Sequence, residues 1–184
     1  MFYTKNYAEL IDDDIGELTE NRVLIKTAIS TISSGTERAN ITGDVNISVF
    51  EKFTEAVFPR YGGYSSAGEV VEVGSAVTKV KVGDRVAVSN SVHGLYNIVP
   101  ETSVNKIVSD KITYNDAAMG FIASFSMAAI RKCRLEIGES ALVMGLGILG
   151  LLAVQLLKAG GATPIIAVDP IAEKREKALL IAGG

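Results

Sequence analysis

Val23, Ile25, Thr27 and Ile29 recur at every second position, the spacing that places one set of side chains on a single face of a β-strand. Glu69-Val-Val-Glu-Val-Gly74 and Asp84-Arg-Val-Ala-Val88 are short β-branched runs closed by Gly or Ser. Gly62-Gly63, Gly74-Ser75, Gly83-Asp84 and Val99-Pro100 punctuate the same stretch, each supplying a turn or a strand stop. Short strands with frequent turns between Val23 and about Val104 predict a β-barrel. The segment Val45 to Val57 fits a short helix and a loop equally well.

After Pro100 the period lengthens. Thr113 and Asp116 have the spacing of a helix N-terminal capping pair, and the Ala- and Met-rich stretch that follows keeps helical spacing to Arg134. Ser140-Ala-Leu-Val-Met144 reads as a short buried strand, followed by a glycine-rich turn and a helix from Ile148 to Ala159 that Gly160-Gly161 ends. A second apolar strand, Pro164 to Val168, stops at Asp169, and a last helix runs from about Ile171 to Ala182 into Gly183-Gly184. The expected architecture is a β-barrel domain over residues 1–125, then the start of a doubly wound parallel sheet over 126–184.

The glycine-rich turn is Gly145-Leu-Gly147-Ile-Leu-Gly150. Three glycines in six residues are unremarkable in a chain with 18 of them, but the context is specific. The motif follows a predicted strand, opens a predicted helix, and has Asp169 at the tip of a second strand 19 residues beyond Gly150. That is the arrangement of a βαβ dinucleotide-binding unit. Gly145 is expected to make the tight turn, Gly147 to let the backbone approach a pyrophosphate, and Gly150 to let helix and strand pack closely. The amides at Ile148 and Leu149 open the helix and would hold the phosphates. Asp169 would accept hydrogen bonds from the adenosine ribose and repel an extra phosphate, so NAD is the expected cofactor and NADP the less favoured one.

Composition narrows the setting. The chain has 184 residues, enough for a sizeable core; 48% of them are hydrophobic and 21% charged, and the net charge of −3 gives no reason to expect nucleic acid or an anionic membrane as partner. The single cysteine, Cys133, forms no internal disulfide and no thiolate-rich metal site. No apolar run approaches the roughly 20 residues of a membrane span, and the N-terminus lacks the pattern of a secretory signal. A cytoplasmic protein acting on a small molecule is expected.

Further blocks of the front half carry a resemblance. Val23-Leu-Ile-Lys-Thr27, Ser34-Gly-Thr-Glu37, Gly68-Glu-Val-Val-Glu-Val-Gly74, Val82-Gly-Asp-Arg-Val86 and Tyr96-Asn-Ile-Val-Pro100 precede the nucleotide motif in order. In this the chain resembles the medium-chain dehydrogenases/reductases, the superfamily that includes zinc alcohol dehydrogenases. The resemblance implies a GroES-like β-barrel carrying substrate-binding and catalytic groups, followed by a Rossmann domain. It implies an oxidoreductase moving hydride between NAD and an alcohol or carbonyl compound. Zinc members have a Cys where Ser34 stands, a His-Glu pair where Tyr64-Ser65 stand, and a Cys near Gly120. Hydroxyls are poor zinc ligands beside thiolate and imidazole, so no catalytic zinc is expected. The four-cysteine structural zinc lobe is missing as well. Ser33-Ser-Gly-Thr-Glu-Arg38 with Gly63-Tyr-Ser-Ser-Ala-Gly68 is most similar to a zinc-lacking subgroup that includes bacteriochlorophyllide dehydrogenase-like proteins.

Without zinc, the carbonyl oxygen that receives hydride still needs a proton or hydrogen-bond donor. Tyr64, Ser34 and His93 are the candidates; Tyr64 and Ser34 occupy ligand-like positions, and His93 precedes a strand and would act as a relay. Packing alone would also account for an aromatic beside glycines and for a lone histidine. Cys133 is expected to be a surface or structural thiol, and the charge run Glu173 to Lys177 a solvated helix face, with Lys174 and Arg175 close to the adenosine end.

A Rossmann domain has about six strands, and this chain supplies the first two. The resemblance implies a protein continuing for roughly as many residues again, including the strands that build its homodimer. The 184 residues alone are therefore expected to be an inactive or weakly active front portion. The alternative is a short protein that binds nucleotide or a partner without catalysis. Whether the reading frame continues past Gly184 separates the two.

Overall fold

The computed structural model describes residues 1–45 and 54–182; most of the ambiguous segment Val45 to Val57, and the terminal Gly183-Gly184, lie outside the described residues. The chain divides into two compact units, Met1–Gly120 and Phe121–Gly184.

The first unit opens with a small antiparallel hairpin, β1 (Phe2–Thr4) and β2 (Tyr7–Ala8). Its main sheet comprises β3 (Arg22–Ser30), β4 (Ser65–Val73), β5 (Arg85–Ser89), β6 (Tyr96–Pro100) and β7 (Val104–Lys106), antiparallel throughout in the order β6-β3-β4-β5-β7. The period-two pattern explains the burial: Val23 and Ile25 in β3 and Val86 and Val88 in β5 point inward while Arg22 and Lys26 stay exposed. With Val70, Val80, Val99 and Val104 they form a core of β-branched side chains suited to a pleated surface. The short helix α1 (Ser34–Thr42) follows β3, and Gly43 ends it in the left-handed conformation.

Thr113 and Asp116 form the expected capping box, with Asp116 N bonded to Thr113 Oγ1 at 3.2 Å and Thr113 N to Asp116 Oδ2 at 2.9 Å. The helix they start does not run unbroken to Arg134. It stops as α2 (Tyr114–Ala118), where Met119 N turns back to the Asp116 carbonyl, and α3 (Gly120–Cys133) begins at the next glycine. Helical spacing alone did not reveal that interruption. Gly120 has no side chain to hold the path, and the two compact units divide just after it.

The second unit contains α3, β8 (Ala141–Met144), α4 (Ile148–Ala159), β9 (Ile165–Val168) and α5 (Ala172–Ala182). Strands β8 and β9 pair in parallel, Ala141 opposite Ile165 and Met144 opposite Val168, with α4 as the crossover. Val143, Leu146, Val154, Leu157, Ala162 and Ala178 make its core. Leu142, Met144, Ile166 and Val168 are exposed, so the alternate positions of both strands leave one face of this pair open. No helix among the described residues is long and apolar enough to cross a membrane.

Candidate functional site

The loop from β8 to α4 is built from three different uses of glycine. Gly145 has a φ of +88°, a left-handed conformation that turns the chain sharply, and its amide bonds the Val168 carbonyl at the end of β9. A Cβ on Gly147 would meet nothing within 4 Å, whereas a Cβ on Gly150 would lie 1.9 Å from the Gly145 carbonyl oxygen. The loop and the first turn of α4 are thus pressed together at Gly150 and open at Gly147. Ile148 and Leu149 are about half exposed at the helix start, where first-turn amides have no carbonyl one turn earlier to pair with.

Two residues that the glycine pattern did not single out hold this loop. Leu146 is 1% exposed and anchors it in the core of the second unit. Ser126 on α3 donates its hydroxyl to the Leu149 carbonyl at 2.8 Å, pinning the first turn of α4. An apolar residue between two glycines was a visible signal for Leu146; nothing in the sequence marked Ser126.

Asp169 follows β9 and is buried. Its Oδ2 accepts the Leu146 amide at 2.8 Å and its Oδ1 the Ile171 amide at 2.9 Å, so the carboxylate joins the glycine loop to the start of α5. Those two amide bonds, Leu146 first, hold its carboxyl below the usual carboxylate range, with Lys174 and Arg175 adding to the shift. Lys174 Nζ stands 3.8 Å from Oδ2, and the Arg175 guanidinium bonds the Asp169 carbonyl. Each carboxylate oxygen keeps further acceptor capacity beyond the amide it already receives.

The first unit gathers a second set of groups. Glu37 on α1 accepts the Gly63 amide at Oε1 (3.0 Å), and the same oxygen lies 3.3 Å from His93 Nε2. His93 Nδ1 is 2.8 Å from the Ser30 hydroxyl at the end of β3. His93 also lines a cleft of about 290 Å³ with Phe2, Tyr61, Gly62 and Val92. Of the three expected proton donors, His93 stands in a hydrogen-bonded chain with Ser30 and Glu37. Ser34 is exposed in the first turn of α1, one helical turn before Glu37. Tyr64 is half-buried next to Gly63, and its carbonyl accepts the Asn90 amide at 2.8 Å. Ser65 is buried and gives its hydroxyl to the Ala118 carbonyl at 2.7 Å. Among the described residues no group of three or more His, Cys, Asp or Glu is placed to hold a metal ion. Cys133 is exposed.

A family model for the alcohol dehydrogenase GroES-like domain matches residues 19–133. The chain belongs to the medium-chain dehydrogenase/reductase superfamily. It is 33% identical over 151 residues to (R,R)-butanediol dehydrogenase of Bacillus subtilis, an alignment covering 68% of this chain and 43% of the relative. It is 29% identical over 184 residues to sorbitol dehydrogenase of the same organism, covering 84% and 50%. The crystal structure of the Bacillus subtilis 2R,3R-butanediol dehydrogenase superposes with a TM-score of 0.77 at 26% identity, covering 97% of this chain and 59% of that one. This chain spans about half the length of the curated relatives it matches. Superfamily membership accounts for the architecture seen here, a GroES-like β-barrel domain followed by part of a Rossmann domain.

Proposed function

We propose that the protein is an oxidoreductase that transfers hydride between NAD(H) and a small alcohol or carbonyl compound, with no catalytic zinc. The observation that carries the reading is the β8–α4 loop. Its glycines are closed against the protein at Gly150 and open at Gly147, and Asp169 ties the loop to the second strand. On this reading residues 1–125 bind substrate and residues 126–184 begin the nucleotide domain. Gly145, Gly147, Ile148, Leu149 and Gly150 contact the pyrophosphate, and Asp169 the adenosine ribose. The Asp169 carboxylate is ionised at neutral pH and disfavours the extra phosphate of NADP, while Lys174 and Arg175 reduce that preference. The relatives named for butanediol and sorbitol dehydrogenases favour an alcohol or polyol as the substrate.

The zinc-free reading rests on the donor set. Ser34 and Tyr64 offer hydroxyls where thiolate and imidazole would be needed, and the Ser65 hydroxyl is already given to a backbone carbonyl. The proton partner for the substrate oxygen is drawn from Tyr64, Ser34 and His93. A cytoplasmic location and a homo-oligomeric full-length protein complete the proposal.

The test is a titration of the full-length protein with NAD+ and NADP+, an alcohol and polyol screen read by nucleotide reduction, and metal analysis. Tighter binding of NAD+ and turnover without stoichiometric metal are expected. Zinc bound at the Ser34 and Tyr64 positions would overturn the zinc-free reading, and a Tyr64→Phe variant with full turnover would remove Tyr64 from the chemistry. Nucleotide binding with no turnover on any alcohol would favour a non-catalytic binding protein.

A further inference from the structure

The inward stripe of α3 carries a polar residue between two isoleucines. Ile122, Ser126 and Ile130 follow at every fourth position; Ile122 is 3% exposed, Ser126 is 4% exposed, and Ile130 packs against the core of the second unit. Phe125 and Met127, on either side of the serine, are about half exposed. A serine hydroxyl inside a helix ordinarily satisfies itself on the carbonyl three or four residues back. Ser124 does so, bonding the Phe121 carbonyl at 2.6 Å. Ser126 instead leaves its own helix and donates to the Leu149 carbonyl at 2.8 Å.

That acceptor lies in the first turn of α4, which lacks the usual supports of a helix start. Gly147 stands at the N-cap with no side-chain cap, and no acidic residue occupies the first turn. The amides of Ile148, Leu149 and Gly150 find no acceptor among the described residues. The Leu149 carbonyl and the Gly150 amide belong to one peptide plane. Within a helix such a carbonyl takes the amide four residues on, so the Ser126 hydroxyl is a second donor on its other lone pair. A second donor fixes the plane and polarises it, which strengthens the Gly150 N–H as a donor at the open end of the helix.

We propose that Ser126 is a positioning residue of the pyrophosphate site, its hydroxyl acting through the Leu149–Gly150 peptide to set how firmly the start of α4 holds a diphosphate. The inference rests on the dinucleotide reading of the β8–α4 loop above. A capping side chain at position 147 would fill the open space into which a diphosphate comes. Support from the carbonyl side of the turn leaves that space clear while keeping the turn rigid. A buried hydroxyl on α3 thus replaces the N-cap that the ligand's own position forbids.

The test uses the full-length protein with NAD+ as the probe, by calorimetric titration. Ser126→Ala is expected to bind NAD+ about three- to tenfold more weakly, the range of one hydrogen bond. Ser126→Thr keeps the hydroxyl, and Ser124→Ala removes the back-bonded hydroxyl of the same helix; both are expected within about twofold of wild type. A second readout comes from NMR with carbonyl-13C leucine and 15N glycine, which lights only Leu–Gly peptides. The sequence has Leu146-Gly147 and Leu149-Gly150, and Gly147→Ala identifies the first by removing it. Without nucleotide, the Leu149 carbonyl and Gly150 amide resonances are expected to move upfield in Ser126→Ala, the direction that loss of a donor from the carbonyl gives. NAD+ affinity within about twofold of wild type in Ser126→Ala, or unmoved Leu149 and Gly150 resonances there, would overturn the proposal. So would a Ser126→Thr protein that melts like wild type yet binds as weakly as Ser126→Ala. Should the threonine methyl prevent folding, the alanine variant and its resonances decide alone. A wild type that binds neither NAD+ nor NADP+ would instead sink the nucleotide-site reading, and the role of Ser126 with it, whatever the resonances show.

Discussion

Two glycines of the β8–α4 loop should fail in opposite ways when given a methyl group. In Gly150→Ala the new Cβ would start 1.9 Å from the Gly145 carbonyl oxygen and 3.6 Å from Val143 Cγ1. Real Cβ atoms essentially never come within 3.0 Å of such a neighbour, so helix α4 and the loop must separate by more than about 1 Å. Neither party is free to move: Gly145 is bonded through its amide to Val168, and the first turn of α4 is pinned through Leu149 by Ser126. Overpacking of this kind costs about 1–3 kcal/mol, more than the roughly 1 kcal/mol that alanine gains over glycine in a helix. In Gly147→Ala the methyl would enter open space at an ordinary φ of −74°, so stability should stay within about 0.5 kcal/mol of wild type. That open space is where a pyrophosphate would approach, and NAD+ affinity should fall by tenfold or more. Thermal melts of the two variants, with and without NAD+, separate the effects. Gly150→Ala is expected to melt several degrees lower without nucleotide. Gly147→Ala should melt like the wild type alone and lose most of the upward shift that NAD+ produces. Undiminished NAD+ affinity in Gly147→Ala would refute the assignment of this loop to the pyrophosphate, and wild-type stability in Gly150→Ala would refute the close-packing argument.

Leu146→Ala removes a fully buried side chain from between Gly145 and Gly147 and should cost about 2–5 kcal/mol, measured by urea denaturation. In Asp169→Asn the ratio of NADP+ to NAD+ affinity should rise roughly five- to tenfold, read by parallel titrations, because the charge that opposes the extra phosphate is gone. Asp84, buried beside Lys106 at 2.7 Å and the Lys81 amide at 3.0 Å, has its carboxyl held below the ordinary value, chiefly by the Lys106 hydrogen bond. A carboxyl held low in the folded state stabilises at pH above its unfolded value of about 4, and that contribution is lost as pH falls through the lower folded value. Asp84→Asn should therefore be less stable than wild type at pH 7 and show a shallower loss of stability between about pH 5 and pH 2, followed by circular dichroism.

How much was legible before the structure depends on the range of the interaction. The β3 strand, the capping box at Thr113, the helix from Ile148 to Ala159 and the β9 strand ending at Val168 were all visible, because side-chain periodicity and caps act over a few residues. The break between α2 and α3 was not, since Met119 and Gly120 satisfy helical spacing, and the return of the Met119 amide to the Asp116 carbonyl interrupts the helix there. In the candidate site, His93 was visible as a lone imidazole, but its partners lie 63 and 56 residues away at Ser30 and Glu37. Glu37 belonged to a quoted motif, yet nothing in its spacing tied it to a histidine.

Side-chain periodicity and motif spacing carry the superfamily, the order of barrel before Rossmann unit, and the placing of three glycines and an acid at the ends of two strands, because those features are local or carry fixed spacing. What these groups touch depends on how distant segments of the chain come together. Asp169 was expected to face a ribose; its two oxygens are found on the amides of Leu146 and Ile171, tying the loop to the start of α5. Gly62 and Gly63 read as a turn, and they prove to be where the chain passes within contact of the part-buried Glu37 carboxylate and of the His93 backbone. Hydrogen bonds and steric clearances of this kind form between segments far apart in the chain, and no local pattern of residues encodes them.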